Sequence, residues 1–145
     1  MLVSVMHANN EVGAVQPIAE LAKLARAANP HVLVHTDASQ SVGKIPANIH
    51  ELDVDLLTIA GHKLYAPKGV GALIMKEGVS LQKFMHGAGH ERGLRAGTEN
   101  TVHIAALGKA CALAAAFLVS ELYPFSAVFV RSHSCMLGSY DRTRE

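Results

Sequence analysis

Apolar positions along the chain fall in short runs, separated by one clear helical repeat and by glycine-rich loops. Leu2-Val-Ser-Val-Met-His7 is a near-continuous apolar run of strand length and reads as a buried strand. Ile18, Leu21, Ala22, Leu24 and Ala25 recur at three- and four-residue steps, which predicts a helix over about Ile18–Ala28. Pro17 suits the start of that helix, and Asn29-Pro30 ends it because the residue before a proline is pushed out of the helical region. Val32-Leu-Val-His-Thr36 is a β-branched run that ends at Asp37 and reads as the second strand. Strand, helix and strand so closely spaced form a βαβ unit, so the two strands are expected to pair in parallel. Asp55-Leu-Leu-Thr-Ile-Ala60 is the third strand, and Val70-Gly-Ala-Leu-Ile-Met75 is a fourth, close enough to the third to run antiparallel. His86 to Asn100 is a loop rich in Gly, Arg and His, and Thr101 to Val119 is a helix. Beyond it Pro124 breaks the run, Phe125-Ser-Ala-Val-Phe-Val130 is apolar without helical spacing, and Arg131 to Glu145 has no period. The pattern therefore divides the chain into an α/β domain over 1–119 and a divergent, irregular tail over 120–145.

Composition sharpens this picture. A chain of 145 residues is one domain long, and with 50% apolar and 17% charged residues it can bury a core. The net charge of +1, the absence of Trp and the 5% aromatic content argue against a nucleic-acid partner. Two cysteines, Cys111 and Cys135, make no disulfide framework, and the Met1–Met6 stretch has no secretory pattern, so an intracellular, most simply cytoplasmic, location is expected. The nine histidines are spread from His7 to His133 without metal-ligand spacing, and His86 and His90 sit in a glycine loop, so no metal site is expected. Val102 to Val119 is nearly apolar enough for a membrane span, but Lys109 interrupts it and Ala and Gly dominate. A buried or interface helix, with no membrane contact, is the better reading.

In α/β sheets, ligands bind beyond the carboxyl ends of the strands. Polar residues gather there: His7 and Asn10 after the first strand, Asp37 and Gln40 after the second, His62 and Lys63 after the third. Asp37 reads either as a helix cap or loop carboxylate, or as an acceptor for a cationic partner. Gln40 and Ser41 would face the same space. Lys63 is either an ordinary solvated lysine or, set between an apolar strand and Leu64-Tyr65-Ala-Pro67, a desolvated amine suited to Schiff-base chemistry. His62 is an anion ligand or a loop histidine. Arg92-Gly-Leu-Arg-Ala-Gly-Thr98 combines guanidinium groups, a hydroxyl and glycine-freed amides, as a phosphate cradle or a basic surface loop would.

Four consecutive blocks carry a family resemblance. They are His7-Ala-Asn-Asn-Glu-Val-Gly13, His35-Thr-Asp-Ala-Ser-Gln-Ser-Val-Gly-Lys44, Ala60-Gly-His-Lys-Leu-Tyr-Ala-Pro-Lys-Gly-Val-Gly71 and His86-Gly-Ala-Gly-His-Glu-Arg-Gly-Leu-Arg-Ala-Gly-Thr-Glu-Asn100. Over about Leu2 to Ala115 the chain resembles the cysteine desulfurase and selenocysteine lyase family, NifS-like class V aminotransferases that use pyridoxal 5'-phosphate (PLP). The resemblance implies part of the large domain of the aspartate aminotransferase-like, fold type I architecture, a mixed and mostly parallel sheet with helices. It implies that Lys63 forms the Schiff base, that Asp37 pairs with the protonated pyridine nitrogen, and that Gln40 donates to the phenolic oxygen. It places His62 on the phosphate, Asn10 near the phenolic oxygen and substrate carboxylate, and Thr98 on the phosphate of a partner subunit's cofactor. Where some members carry a phosphate-contacting serine this chain has Ala60, with Thr58 nearby. The implied reaction removes sulfur from L-cysteine, or selenium from L-selenocysteine, to leave alanine. A homodimer, a sulfur acceptor protein and a place in iron–sulfur cluster assembly come with it.

The resemblance also implies pieces that this sequence does not show. The family's upstream Gly-Thr phosphate loop and ring-stacking His have no counterpart, nor do its persulfide-forming Cys and carboxylate-binding Arg. Cys111 falls inside a predicted helix and reads as a packing residue, and Cys135, in Ser132-His-Ser-Cys-Met136, follows the point where the resemblance stops. The expectation is a partial PLP-binding domain with no turnover of its own. Its rivals are a selenocysteine lyase and a catalytically inactive, truncated product that at most dimerises. The strand-end rule further places Asp37 and Lys63 on one sheet edge, facing a shared cavity.

Overall fold

The computed structural model describes residues 1–120, with side chains through Leu118. Four strands, β1 (Leu2–Met6), β2 (Leu33–Asp37), β3 (Leu56–Ala60) and β4 (Gly71–Met75), form one sheet in the order β1-β2-β3-β4. β1 and β2 pair in parallel from Leu2 opposite Leu33 to Met6 opposite Asp37, and β2 pairs in parallel with β3. β4 returns antiparallel, with Ala60 opposite Gly71. The helix α1 (Ile18–Ala28) connects β1 to β2, and α2 (Thr101–Ser120) follows the long glycine-rich loop. This is the mixed, mostly parallel α/β arrangement that the sequence predicts, with strand limits moved by a residue or two.

Period-two alternation gives the sheet two unlike faces. Val3, Val5, Val34, Leu57, Ile59 and Ala72 point into one core with Ile18 and Ala22 of α1. Burying a side chain such as Leu57 (1% exposed) contributes about 1.5–3 kcal/mol. Thr36 is fully buried on that face, and its hydroxyl donates to the Val5 carbonyl at 2.8 Å, so no polar group is stranded. The alternate residues Leu2, Ser4, Met6, Leu33, His35 and Asp37 occupy the other face, where Leu2 and Ser4 are exposed.

Charge ties the amino-terminal end of β3 to its neighbours. The Arg26 guanidinium donates to the Asp53 carboxylate at 2.6 Å and to Asp55 Oδ2 at 3.0 Å. Asp55 Oδ2 also accepts from the Val34 amide at 2.8 Å, which extends the β2–β3 ladder by one side chain. Lys76 reaches Asp53 at 3.3 Å.

α2 docks through a narrow stripe. Leu107 is buried, and Ala110, Cys111 and Ala114 pack on the core beside the short 3-10 turn at Gly61–Leu64. Gly43 permits the approach: its φ is +78°, and a Cβ there would lie 2.7 Å from Leu64 and 3.1 Å from Ala114. The rest of α2 is open, with Val102 75%, Ile104 44% and Leu113 47% exposed. Of the buried-or-interface reading, burial therefore holds along that stripe alone, because a mostly apolar sequence does not reveal how narrow its contact stripe is. By length and composition alone Thr101–Leu118 could cross a membrane, with a mean hydropathy of 1.7. The expected irregular tail and Cys135 lie outside the described residues.

Candidate active site

Three parallel strands end side by side. The amide of His7, just past β1, donates to the Asp37 carbonyl at 2.8 Å, and the Ala38 amide donates to the Thr58 carbonyl at 3.0 Å. Each predicted site residue but Thr98 and Thr58 lies in a loop or turn at this edge, or at the strand end itself.

Asn10 sits at the tip of a turn after β1 that its neighbour builds: Asn9 Oδ1 accepts from the amides of Glu11 and Val12, each at 2.9 Å. His7 is buried. Its Nδ1 lies 2.9 Å from Ser41 Oγ, and Ser41 Oγ donates to the Ala38 carbonyl at 3.2 Å. That pair fastens the β1 end to the turn that follows Asp37. Burial pushes the His7 pKa below its ordinary value.

Asp37 ends β2 and is half-buried. Its Oδ1 accepts from the Ser39 amide at 2.8 Å, while Oδ2 receives no hydrogen bond among the described residues. The turn-carboxylate reading of Asp37 is met by Oδ1, which shapes the turn, and Oδ2 is left open. Gln40, half-buried, follows in that turn, and its carbonyl accepts from Lys44 Nζ at 3.1 Å. Lys44 was not evident from sequence; its place four residues after Gln40 was the available signal. It is exposed by area, yet its ammonium is crowded by protein, which lowers its pKa first by desolvation and then through the Lys63 charge. Two ammonium groups therefore stand near each other at this edge.

Lys63 and His62 occupy the 3-10 turn directly after β3. Gly61 makes the turn possible, because a Cβ there would stand 2.7 Å from the Val70 carbonyl oxygen, to which the Gly61 amide donates at 2.9 Å. Tyr65 closes the turn in the left-handed region at φ 63°. Lys63 and His62 are both exposed, which meets the solvated one of the two readings of Lys63, while its neighbour Leu64 is buried. A cavity of about 120 Å³ lies between α2 and residues 42–47, lined by Val42, Gly43, Ile45 and Cys111 among others. Neither Asp37 nor Lys63 lines it; both stand at the strand-end edge, apart from this cavity.

Two other expectations change. Thr58 Oγ1 is 2.8 Å from His35 Nε2, and His35 Nδ1 is 2.7 Å from Ser4 Oγ, so Thr58 is engaged within the sheet. Arg95 does not face an anion: its guanidinium donates to the carbonyls of Ala96 (3.4 Å) and Gly97 (2.9 Å) and to Glu91 Oε1 (3.2 Å), closing its own loop. Thr98 is exposed beside it, and no interaction ties it to Asp37 or Lys63. Among the described residues no three His, Cys, Asp or Glu side chains converge on a metal-sized site.

The geometry belongs to a known family. The aminotransferase class-V profile matches residues 1–122, which takes in the sheet, the strand-end residues and α2. The chain belongs to the class-V aminotransferase family. Among its class-V relatives, the cysteine desulfurase IscS of Dictyoglomus turgidum is 51% identical over 114 residues, covering 79% of this chain and 28% of the relative. That of Histophilus somni is 48% identical over 130 residues, covering 88% of this chain and 32% of the relative. A solved NifS-like protein superposes with a TM-score of 0.78 at 42% identity, over 82% of this chain and 33% of its own. DndA from Streptomyces lividans gives 0.72 at 43% identity, over 83% of this chain and 35% of its own. The class-V chain described here thus spans about a third of the relatives that it matches.

PLP can be tested against the donors present. The side chains of Asn10, Gln40, His62, Lys63 and Thr98 make no hydrogen bond among the described residues, and Asp37 keeps one oxygen open. A free amine, an open carboxylate oxygen, an amide and an imidazole on adjoining strand ends, beside a second ammonium, suit a cationic ring that carries an anionic phosphate. The set fits.

Proposed function

We propose that this chain is the PLP-binding core of a cysteine desulfurase, in which sulfur is removed from L-cysteine to leave alanine. The observation that carries this reading is the strand-end placement of Asp37, Gln40, His62 and Lys63, with their ligand-facing atoms unengaged, in a chain about half identical to cysteine desulfurases. PLP, when bound, supplies an electron sink next to the substrate's α-carbon.

The chain's own residues do the holding. Lys63 Nζ, free of any carboxylate among the described residues, is the amine that would attach the cofactor covalently. Asp37 Oδ2 would accept from the ring nitrogen, with the carboxylate held by the Ser39 amide on Oδ1. Gln40 would offer its amide to the phenolic oxygen from a turn fixed by the His7–Ser41 bond. His62 would attract the phosphate at the edge where Lys44 feels the charge of Lys63, and Asn10 would meet the substrate carboxylate. Thr98, in its own loop and without a bond to this edge among the described residues, would serve the site of a second copy, so a homodimer belongs to this reading. A sulfur acceptor protein does too. The names of the matching relatives favour cysteine over selenocysteine as substrate.

The test is covalent labelling. The 145-residue chain is mixed with PLP, reduced with borohydride, digested and mapped. The expected result is one dominant adduct, on Lys63, which disappears in Lys63→Ala. Label spread over surface lysines, or unchanged in the variant, overturns the assignment.

A further inference from the structure

His35 has no part in the reading above, yet it occupies a built position. It lies two residues before Asp37 on the same strand, so both side chains emerge from the same face of the sheet. Its ring bridges three strands, with Nδ1 2.7 Å from Ser4 Oγ on β1 and Nε2 2.8 Å from Thr58 Oγ1 on β3. We propose that His35, seated between the Ser4 and Thr58 hydroxyls, is a positioning residue for Asp37: its charge state sets how much of the Asp37 carboxylate's field reaches a cationic ring bound at the strand ends. The inference rests on the PLP reading above for the identity of that ring, but its coupling to Asp37 does not.

The seat explains why the effect falls on Asp37. A neutral imidazole has one N–H, so it donates to one hydroxyl and accepts from the other. A protonated one donates to both, and each hydroxyl can rotate to accept. Titration therefore keeps both hydrogen bonds and changes only the charge. The neighbours on the adjoining strands, Ser4 and Met6 of β1 and Leu56 and Thr58 of β3, carry no charge. Asp37 is the charged group that acts on the ring: burial lowers the His35 pKa and the Asp37 carboxylate, the smaller influence, raises it. A proton on His35 and a cationic ring on Asp37 thus compete for one carboxylate. By linkage, each weakens the other by the same factor. Neutral His35 leaves the carboxylate wholly to the ligand.

The experiment is an NMR titration of the 145-residue chain with labelled imidazoles. The His35 pKa is read in the wild type and in Asp37→Asn. Each is then repeated with PLP and with the carbocyclic analogue in which C–H replaces the ring nitrogen. The expected result is a fall in the His35 pKa in Asp37→Asn. PLP should produce a fall in the wild type, the carbocyclic analogue none, and PLP should add nothing in Asp37→Asn. If Asp37→Asn does not fold, Asp37→Ser, which also removes the charge, is read in its place. An unchanged His35 pKa on removing the Asp37 charge overturns the proposal, as does PLP attached at Lys63 without effect on His35. Failure of PLP to attach overturns the functional reading instead, and the Asp37→Asn comparison still decides the coupling.

Discussion

Ser41→Ala should destabilise the chain more than its size suggests, and His7→Leu in the same molecule should remove most of the penalty. Ser41 is fully buried and its single hydroxyl proton points to the Ala38 carbonyl at 3.2 Å. With the hydroxyl proton on Ala38, the 2.9 Å contact is a donation from His7 Nδ1–H to Ser41 Oγ, by a histidine only 4% exposed. Removing the hydroxyl leaves that N–H without a partner, a cost of about 1–3 kcal/mol. The Ala38 carbonyl is not stranded, because it still accepts from the Ser41 and Val42 amides, each at 3.0 Å. Replacing both partners by apolar groups leaves no orphan, so the double variant should cost less than the sum of the singles by about 1–2 kcal/mol. The assay is urea unfolding followed by circular dichroism at pH 8, where a loss of ~1.5 kcal/mol moves the midpoint by about 1 M. Ser80→Ala, at an exposed position, is the control. Additivity of the two single variants within ~0.5 kcal/mol would refute the bond as drawn.

Two further outcomes follow from the same contacts. His7 and His35 both titrate below the ordinary histidine value because burial disfavours their charged forms. The unfolded chain therefore binds more protons just below pH ~6.5, so stability is complete above that value and falls as the solution is acidified, by at most ~1.4 kcal/mol per pH unit for each group. His7→Leu should flatten this decline in urea midpoints measured from pH 7.5 downward, and an unaltered decline would contradict the burial argument. At the other end of the sheet, Asp55→Ala should cost about 2–3 kcal/mol because it strands the Val34 amide and frees Arg26, whereas Asp53→Ala, half-exposed, should cost less than about 1. Equal losses in the two variants would show that the Val34 bond adds nothing.

Local pattern located the elements well where a single period governs them. The α1 limits, Ile18–Ala28, match the three- and four-residue repeat and the Asn29-Pro30 stop. Strand ends moved by one or two residues because pairing, not apolar content, sets them: β1 stops at Met6 where its partner ends at Asp37. The strand-end rule brought Asp37, Gln40, His62 and Lys63 to one edge. Thr58, His7 and Arg95 were not legible in the same way, for their partners lie elsewhere. His7 meets Ser41 34 positions away and His35 meets Thr58 23 positions away, contacts that exist only once the strands are in register. α2 was legible as a helix but not as a half-exposed one, since nothing in its apolar run distinguishes Leu107 from Leu113.

The two ends of the sheet treat charge in opposite ways, and that contrast bears on function. At the amino-terminal end of β3, Arg26, Asp53, Asp55 and Lys76 satisfy one another. At the carboxyl-terminal edge the Lys44 pKa is lowered first by desolvation and then by the Lys63 charge, and no carboxylate pairs with either among the described residues. Like charges held together oppose folding unless something else uses them. Asp37 forms no ion pair with either lysine among the described residues, and one of its oxygens holds the Ser39 amide. On the PLP reading, a bound phosphate would bring negative charge to the edge that holds Lys44 and Lys63, and the open oxygen of Asp37 would meet a cationic ring, so each charge of the cofactor would find its opposite at the strand ends.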